Sequence, residues 1–543
     1  MIKKKIDGKI YSELITSGAN NLINNKNRID ALNVFPVPDG DTGTNMSSTV
    51  EMAAKALENY SSDNLGEVAN FVAKNMLLGA RGNSGVILSQ IFKGFALAFS
   101  EKEEVDILGF LEGFKKATEK AYGSVLKPIE GTILTVIRET TESLEAKINN
   151  FTSFEELFKA AFESSRIACD NTPNKLKILR EVGVTDSGGE GLHNFIEGIY
   201  KYFKGEPVKI SNDETSIDTF ISNKEVYNGE FGYCTEFIIE LNSIEDFDKK
   251  QFEKQLNKKA NSLVVVQDDK LVKVHGHTLK PGDLLNFGQK FGEFIKIKSE
   301  NMTIQAEDSR NKNVVLNNID KKGETKKCGI VSCNLGSGII EKMRELGCDV
   351  IIESGQTQNP SALDIIEAIK NCDAENVFIL PNNKNIFLTA EQAAQATRDK
   401  KVYIIPTSTQ IQGINAISVF NSDVSPEENT ELMNEMISMV QTGEVTTAVR
   451  NTQINGVKIK EGKFISILDG KIKLCVDTYL EAAKKLIKKT ANEDTQLITI
   501  YYGNEASELD AAELEDYIRR YFECDVAIIN GNQPNYFFII GFE

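Results

Sequence analysis

The feature that most constrains this chain is a change of hydrophobic period part-way along it. From residue 8 to about 203, apolar side chains recur at three- and four-residue spacing, as in Leu88, Ile91, Phe92, Phe95 and Phe99. That spacing lines one face of a helix. Proline, which breaks helix interiors, falls here only at Pro36, Pro38, Pro128 and Pro173. The reading is an all-α domain over 1–203, made of long helices and a few loops. Residues 204–226 turn polar and lose the period, as a linker does. Strand patterns follow in FGYCTEFIIEL, NSLVVVQDD and KLVKVHGHT, with DFDKKQFEKQLNKKA as a helix among them, so 227–320 reads as a small α+β domain. From 321 to 543, strands such as CGIVSC, DVIIES, NVFILP and KVYIIP alternate with helices starting at Gly338, Ser361 and Thr389. Such alternation predicts a parallel sheet wound with helices. ISILDGKIKL, TQLITIYYG and DVAIIN, around two helices, predict a second lobe.

At 543 residues the chain is too long for a single core. With 26% charged and 41% hydrophobic residues it has the composition of a folded protein rather than a disordered one. The 79 acidic and 62 basic side chains leave a net charge of -17, which repels nucleic-acid backbones and anionic lipid surfaces. No dense Lys/Arg stripe offsets this, so no nucleic-acid partner is expected. No run approaches the roughly 18 apolar residues that a membrane span needs. Eight scattered cysteines without a CxxC pair read as reduced thiols, and hence as a cytoplasmic protein.

The segment 33-NVFPVPDGDTGTNM-46 carries the strongest chemical signal. Two prolines set an extended approach, and Gly40 and Gly43 permit tight turning around Asp39 and Asp41. Carboxylates two residues apart, with Asn33 and Asn45 nearby, offer hard oxygen donors to one or two magnesium ions carrying a nucleotide. The bland alternative is a solvated Asp-Gly turn. A second loop, 79-GARGNSG-85, opens directly into an apolar helix, and a third, 185-TDSGGEG-191, repeats the pattern. Glycines admit backbone N–H groups to phosphate oxygens, and a helix N-terminus adds favourable partial charge. His193, just after the third loop, reads as a packed helical residue.

These segments, together with KPIEGTILTVIRE, resemble the nucleotide-binding domain of the dihydroxyacetone kinase L-subunit family. The whole chain is similar to the ATP-binding subunit of bacterial fatty acid kinase. The resemblance implies a barrel of helices whose loops hold ATP through magnesium, with Asp39 and Asp41 as the metal-binding aspartates. Where the dihydroxyacetone kinases carry a third aspartate this chain has Asn33, a neutral donor. The resemblance further implies phosphate contacts from Thr42, Thr44, Asn45, Asn83, Ser84 and Gly85, with Thr132 and Asp186 as further nucleotide-pocket residues. The acceptor it implies is a fatty acid carboxylate and the product an acyl phosphate. A carboxylate is ionised near neutral pH, so no general base is needed. Positioning and charge neutralisation would carry catalysis, with Arg81 either offsetting charge on the transferred phosphoryl group or making a structural contact.

Two of the three histidines stand at His275 and His277, two apart on a strand and so on one face, with Cys234 on a strand that could pair nearby. Cys and His ligands together favour zinc. Spacing alone leaves surface histidines and a buried thiol equally open. The resemblance favours the metal, as a structural Zn2+. By resemblance the C-terminal half is DegV-like and docks a separate fatty-acid-binding carrier protein; a homodimer is left open. Two other readings compete: a kinase for dihydroxyacetone or another small polyol, and a nucleotide-sensing scaffold without catalysis.

Overall fold

The computed structural model describes residues 5–34, 40–125, 127–210, 233–243, 247–256, 258, 261–268, 270–278, 280–301, 325–355, 359–448, 451–454 and 456–543. Two compact units divide the chain: 1–214 together with 325–543, and 215–324.

The helical region of the first unit runs through α1 (Gly8–Asn24), α2 (Lys26–Leu32), α3 (Thr42–Leu57), α4 (Leu65–Gly79), α5 (Gly82–Phe99), α6 (Ile107–Gly123), α7 (Ile133–Ala146) and α8 (Phe154–Asp170). Two short turns, α9 (Thr172–Lys175) and α10 (Lys177–Val182), precede α11 (Ser187–Phe203). Helix starts are written in the sequence: Asp7, Asn64, Asp106, Ser153 and Asp186 each accept a hydrogen bond from a backbone N–H in the first turn. Such caps satisfy donors that have no partner inside the helix. The interior is aromatic. Phe110 packs at ring-centroid distances of 5.3 Å from both Phe99 and Phe158, and Phe95 lies 5.2 Å from Phe114. The void left among these rings is about 30 Å³, room for a water and not for a ligand. Function in this region therefore belongs at the helix ends.

The C-terminal region opens on a four-stranded parallel sheet in the order 401–404, 374–380, 326–334, 350–353. Helices Ser337–Glu345, Ala362–Asn371, Phe387–Ala396 and Gln410–Ser418 follow its strands. Ser361 starts its helix with a capping box, exchanging bonds with Asp364. The second lobe is a six-stranded mixed sheet. Its hairpin 464–468/471–476 turns on Asp469 and Gly470, both at positive φ, as a tight two-residue turn demands. Strands 441–447 and 538–542 complete this sheet beyond those the sequence pattern predicts.

The second unit is an antiparallel sheet ordered 261–268, 271–278, 233–241, 292–301, with helices Lys249–Leu256 and Pro281–Gly288. Its core gathers Phe237, Ile239, Phe252, Val272, Val274 and Leu284. The helix at 281–288 and the strand at 292–301 add to the sequence reading. In GEFIKIKSEN, lysine and glutamate carry the strand's alternation in place of a plain apolar run.

Candidate functional site

The N-termini of α3, α5, α7 and α11 converge at one end of the helical region. Asp41 is the N-cap residue of α3, Thr132 of α7 and Asp186 of α11, while α5 starts after Arg81. Gly82 has φ +56°, and a Cβ there would fall 2.6 Å from Asn45 Nδ2, so the second loop crosses α3 at a distance only glycine allows. Ser187 Oγ donates to Thr42 Oγ1 at 3.2 Å and ties the third loop to the first. Together these ends wall a cavity of about 380 Å³.

Asn33, Asp41, Thr42, Asn45, Asn83, Ser84, Thr132 and Asp186 all line this cavity. Residues from four separate segments thus meet in one place. Four N-terminal partial charges point at it, the arrangement that favours an anion. Asp41 is 6% exposed, Asn33 2% and Asn45 4%, an oxygen-rich donor set without sulfur or imidazole. Such a set fits magnesium rather than a softer metal. Among the described residues, no group of three His, Cys, Asp or Glu side chains is gathered about a metal-sized position. Asp39 lies outside the described residues.

Other expected contacts go elsewhere. Thr44 is exposed and turned to α2, its N and Oγ1 donating to Asp30 at 3.0 and 2.8 Å. Asp30 thereby caps α3, its carboxyl raised by burial. Gly85 is a packing residue, for a Cβ would stand 2.3 Å from Thr49 Oγ1. Arg81 does not line the cavity; its Nη1 donates to the backbone carbonyl of Asn359 at 2.8 Å and its Nη2 lies 3.8 Å from Asp364. His193 is buried, its Nδ1 2.8 Å from Ser165 Oγ and its ring stacked on Phe162. Burial, with Arg166 adding repulsion, lowers its pKa to about 4, so it sits neutral in the packing.

Asp186 is buried, accepts from Gly189 N at 2.7 Å and has its pKa pushed up to about 7 by desolvation. Its neighbour Glu190 is held below the usual carboxylate range despite burial, by Arg166 and Thr185. The third loop is therefore braced by an ion pair, and of its two carboxyls it is Asp186 that lines the cavity.

Several cavity residues are not among the site residues expected from the sequence. Lys127, next to Pro128, is one cation in the wall. From the far end of the chain come Lys384, Asn385 and Glu391, where Asn83 Nδ2 donates to Asn385 Oδ1 at 3.2 Å. By resemblance the C-terminal half is expected to dock a carrier; the fold also makes its segment 384–391 a wall of the cavity.

In the second unit, the backbone register pairs Cys234 with His277 directly, and His275 with Glu236. The side chains of Cys234, His275 and His277 lie outside the described residues. No helix among the described residues is long and apolar enough to cross a membrane.

Three family models match the chain: the DAK2 domain over 36–201, and two from fatty acid kinase, the FakA-like middle domain over 230–309 and the FakA-like C-terminal region over 329–543. Protein YloV of Bacillus subtilis is 40% identical over 551 residues, covering 99% of this chain and 100% of that protein. The chain belongs to the FakA-like family of fatty acid kinase subunits. Uncharacterized proteins of Staphylococcus epidermidis and Staphylococcus aureus are each 38% identical, over 99% of both chains. As a member of this family, the chain is a kinase-type phosphotransferase of several domains: a helical DAK2 domain, a middle domain and an α/β C-terminal domain. Among solved structures, the DegV family protein Cg2579 from Corynebacterium glutamicum aligns with a TM-score of 0.32 at 12% identity, over 40% of this chain and 98% of that one. The dihydroxyacetone kinase from C. freundii in complex with AMP-PNP and Mg2+ aligns with a TM-score of 0.29 at 17% identity, over 37% of this chain and 35% of that one.

Proposed function

We propose that the chain is the ATP- and magnesium-dependent subunit of a fatty acid kinase, transferring the γ-phosphoryl group of ATP to a fatty acid carboxylate presented by a separate binding protein. The observation that carries this reading is the convergence of four helix N-termini, Asp41 and two lysines on one cavity of about 380 Å³, in a chain of this family. A carboxylate oxygen forms the new bond to the γ-phosphorus, the bond from that phosphorus to the β,γ-bridging oxygen breaks, and ADP leaves with acyl phosphate as the other product. No proton has to be removed from the acceptor. Magnesium, when bound, neutralises phosphate charge, and Asp41, with Asp39 and the carboxamides of Asn33 and Asn45, would hold it. The helix N-termini, with Thr42, Asn83 and Ser84, would seat phosphates, and Lys127 and Lys384 would offset their charge. The scattered reduced thiols support a cytoplasmic location.

The test is transfer of labelled γ-phosphate in the presence of magnesium, with a fatty-acid-loaded carrier as one acceptor and dihydroxyacetone with its own partner as the other. Label in acyl phosphate that depends on the carrier supports the proposal; label in the polyol alone replaces it.

The middle domain is proposed to hold a structural zinc through Cys234, His275 and His277, a reading supported by the backbone pairing of Cys234 with His277. Elemental analysis is expected to find about one zinc per chain, lost in His275→Ala; equal metal in both proteins would remove the site.

A further inference from the structure

Asp41 is reached from more than three hundred residues away. Residues 359–362 run beside 80–81: Arg81 and Ser361 form an isolated antiparallel bridge, and Ala362 N donates to Ala80 O at 3.2 Å. Arg81 Nη1 closes the strap on the Asn359 carbonyl at 2.8 Å. The strap places the Asn359 carboxamide against the α3 N-cap, where its Nδ2 donates to Asp41 Oδ2 at 2.6 Å. Asn359 is 2% exposed, and its Oδ1 finds no hydrogen-bond partner among the described residues. A buried carboxamide oxygen left this way costs free energy that an apolar residue would avoid. Its placement beside a carboxylate that lines the cavity points to a task at that carboxylate. A hydrogen bond from behind a ligating carboxylate orients it and takes up one lone pair while leaving others for a cation.

We infer that Asn359 is a positioning residue of the metal–nucleotide site, supplied by the C-terminal domain, which holds Asp41 in the orientation that accepts a divalent cation. The inference rests on the reading of Asp41 as a magnesium ligand. It makes the C-terminal domain part of the nucleotide site, and it couples seating of that domain on the helical region to magnesium–nucleotide binding in both directions.

The experiment is calorimetric titration of the full chain with ADP at a series of magnesium concentrations, with melting temperatures recorded in parallel. Asn359→Ala is expected to raise the magnesium concentration for half-maximal ADP binding by about 10- to 100-fold. Asn359→Asp, nearly isosteric, puts a second carboxylate beside Asp41. It is expected to melt lower than wild type without magnesium and to gain more from magnesium than wild type does. A melting-temperature loss in Asn359→Ala with wild-type magnesium dependence would overturn the inference. So would an Asn359→Asp protein whose melting responds to magnesium no more than wild type. Asp41→Ala is the control for the underlying reading. If ADP binding keeps its magnesium dependence in Asp41→Ala, the ligand assignment itself fails; if it is lost there while half-maximal magnesium in Asn359→Ala equals that of wild type, only the positioning role fails.

Discussion

Asp41→Asn is expected to lower phosphoryl transfer to the fatty acid by about three orders of magnitude, equivalent to ~4 kcal/mol of transition-state stabilisation. Beyond the long contact from Asn33 Nδ2 to Asp41 Oδ1 at 3.5 Å, the substitution changes little else. Asp41 caps α3 through its backbone carbonyl, which accepts from Asn45 N at 2.8 Å, and asparagine retains an oxygen for the bond from Asn359 Nδ2 at 2.6 Å. Asparagine is also as good an N-cap residue as aspartate. What disappears is the negative charge in a buried oxygen-donor set, and with it the attraction for a divalent cation. Labelled-phosphate transfer and thermal melting of the same preparation separate the two. Activity above a tenth of wild type would end the assignment, and a large fall in melting temperature would mark a structural role instead.

Asp186→Asn is expected to stabilise the protein most above pH 7, progressively less as pH falls, and to leave it nearly unchanged only below the unfolded-state value of 3.8. Desolvation raises the Asp186 pKa from 3.8 to about 7 in the folded state, so the native protein holds a proton there that the unfolded chain releases. A raised folded pKa contributes stability that is fully present below the unfolded value and lost as pH rises through the folded one. Above pH 7 the folded state buries an ionised carboxylate, and the span from 3.8 to about 7 corresponds to ~4 kcal/mol. Asparagine escapes that cost and still accepts the bond from Gly189 N. His193 acts in the opposite direction. Its pKa is lowered to about 4, so its contribution is present above about 6.5 and lost as pH falls through 4. In wild type the two offset each other between about pH 4 and 7, and removing Asp186 exposes the acid-side loss. Denaturant unfolding at about pH 3.5 and at pH 8 checks this, and a variant less stable than wild type at pH 8 would contradict it. If Asp186 also contacts nucleotide, the stabilised variant binds ADP more weakly, as expected where a strained site group serves function.

Much of the architecture was legible because local chemistry and tertiary structure agree. Asp7, Asn64, Asp106, Ser153 and Asp186 stand where helices start, and each caps one. The alternation from CGIVSC to KVYIIP became a parallel sheet because fully apolar strands need helices on both faces. Strand 538–542, by contrast, escapes the sequence pattern. Its run FIIGF is buried throughout, and periodicity cannot tell such a segment from a buried helix.

At the site, residue types in the glycine-bearing loops announced an anion and a hard cation, and most of the side chains they offer do meet. Which neighbours in those loops face the cavity was decided by helix phase and packing. Thr44 follows Gly43 by one residue, a rotation of about 100° about the α3 axis that carries it out to Asp30. Gly85 serves the approach of α5 to Thr49. Arg81, which composition cannot divide between catalysis and structure, is spent on the Asn359 carbonyl.

Residues within a turn or two of one another are enough to dictate the helix-then-strand order of the domains, the helix caps and the identity of the first loop, so these can be read along the chain. That Lys384 and Asn385 complete the cavity opened by Asp41 and Asn83, and that Asn359 braces Asp41, emerges only from the folded molecule. Their side chains meet across some three hundred residues through the seating of one domain on another. No local periodicity or spacing encodes a contact of that range.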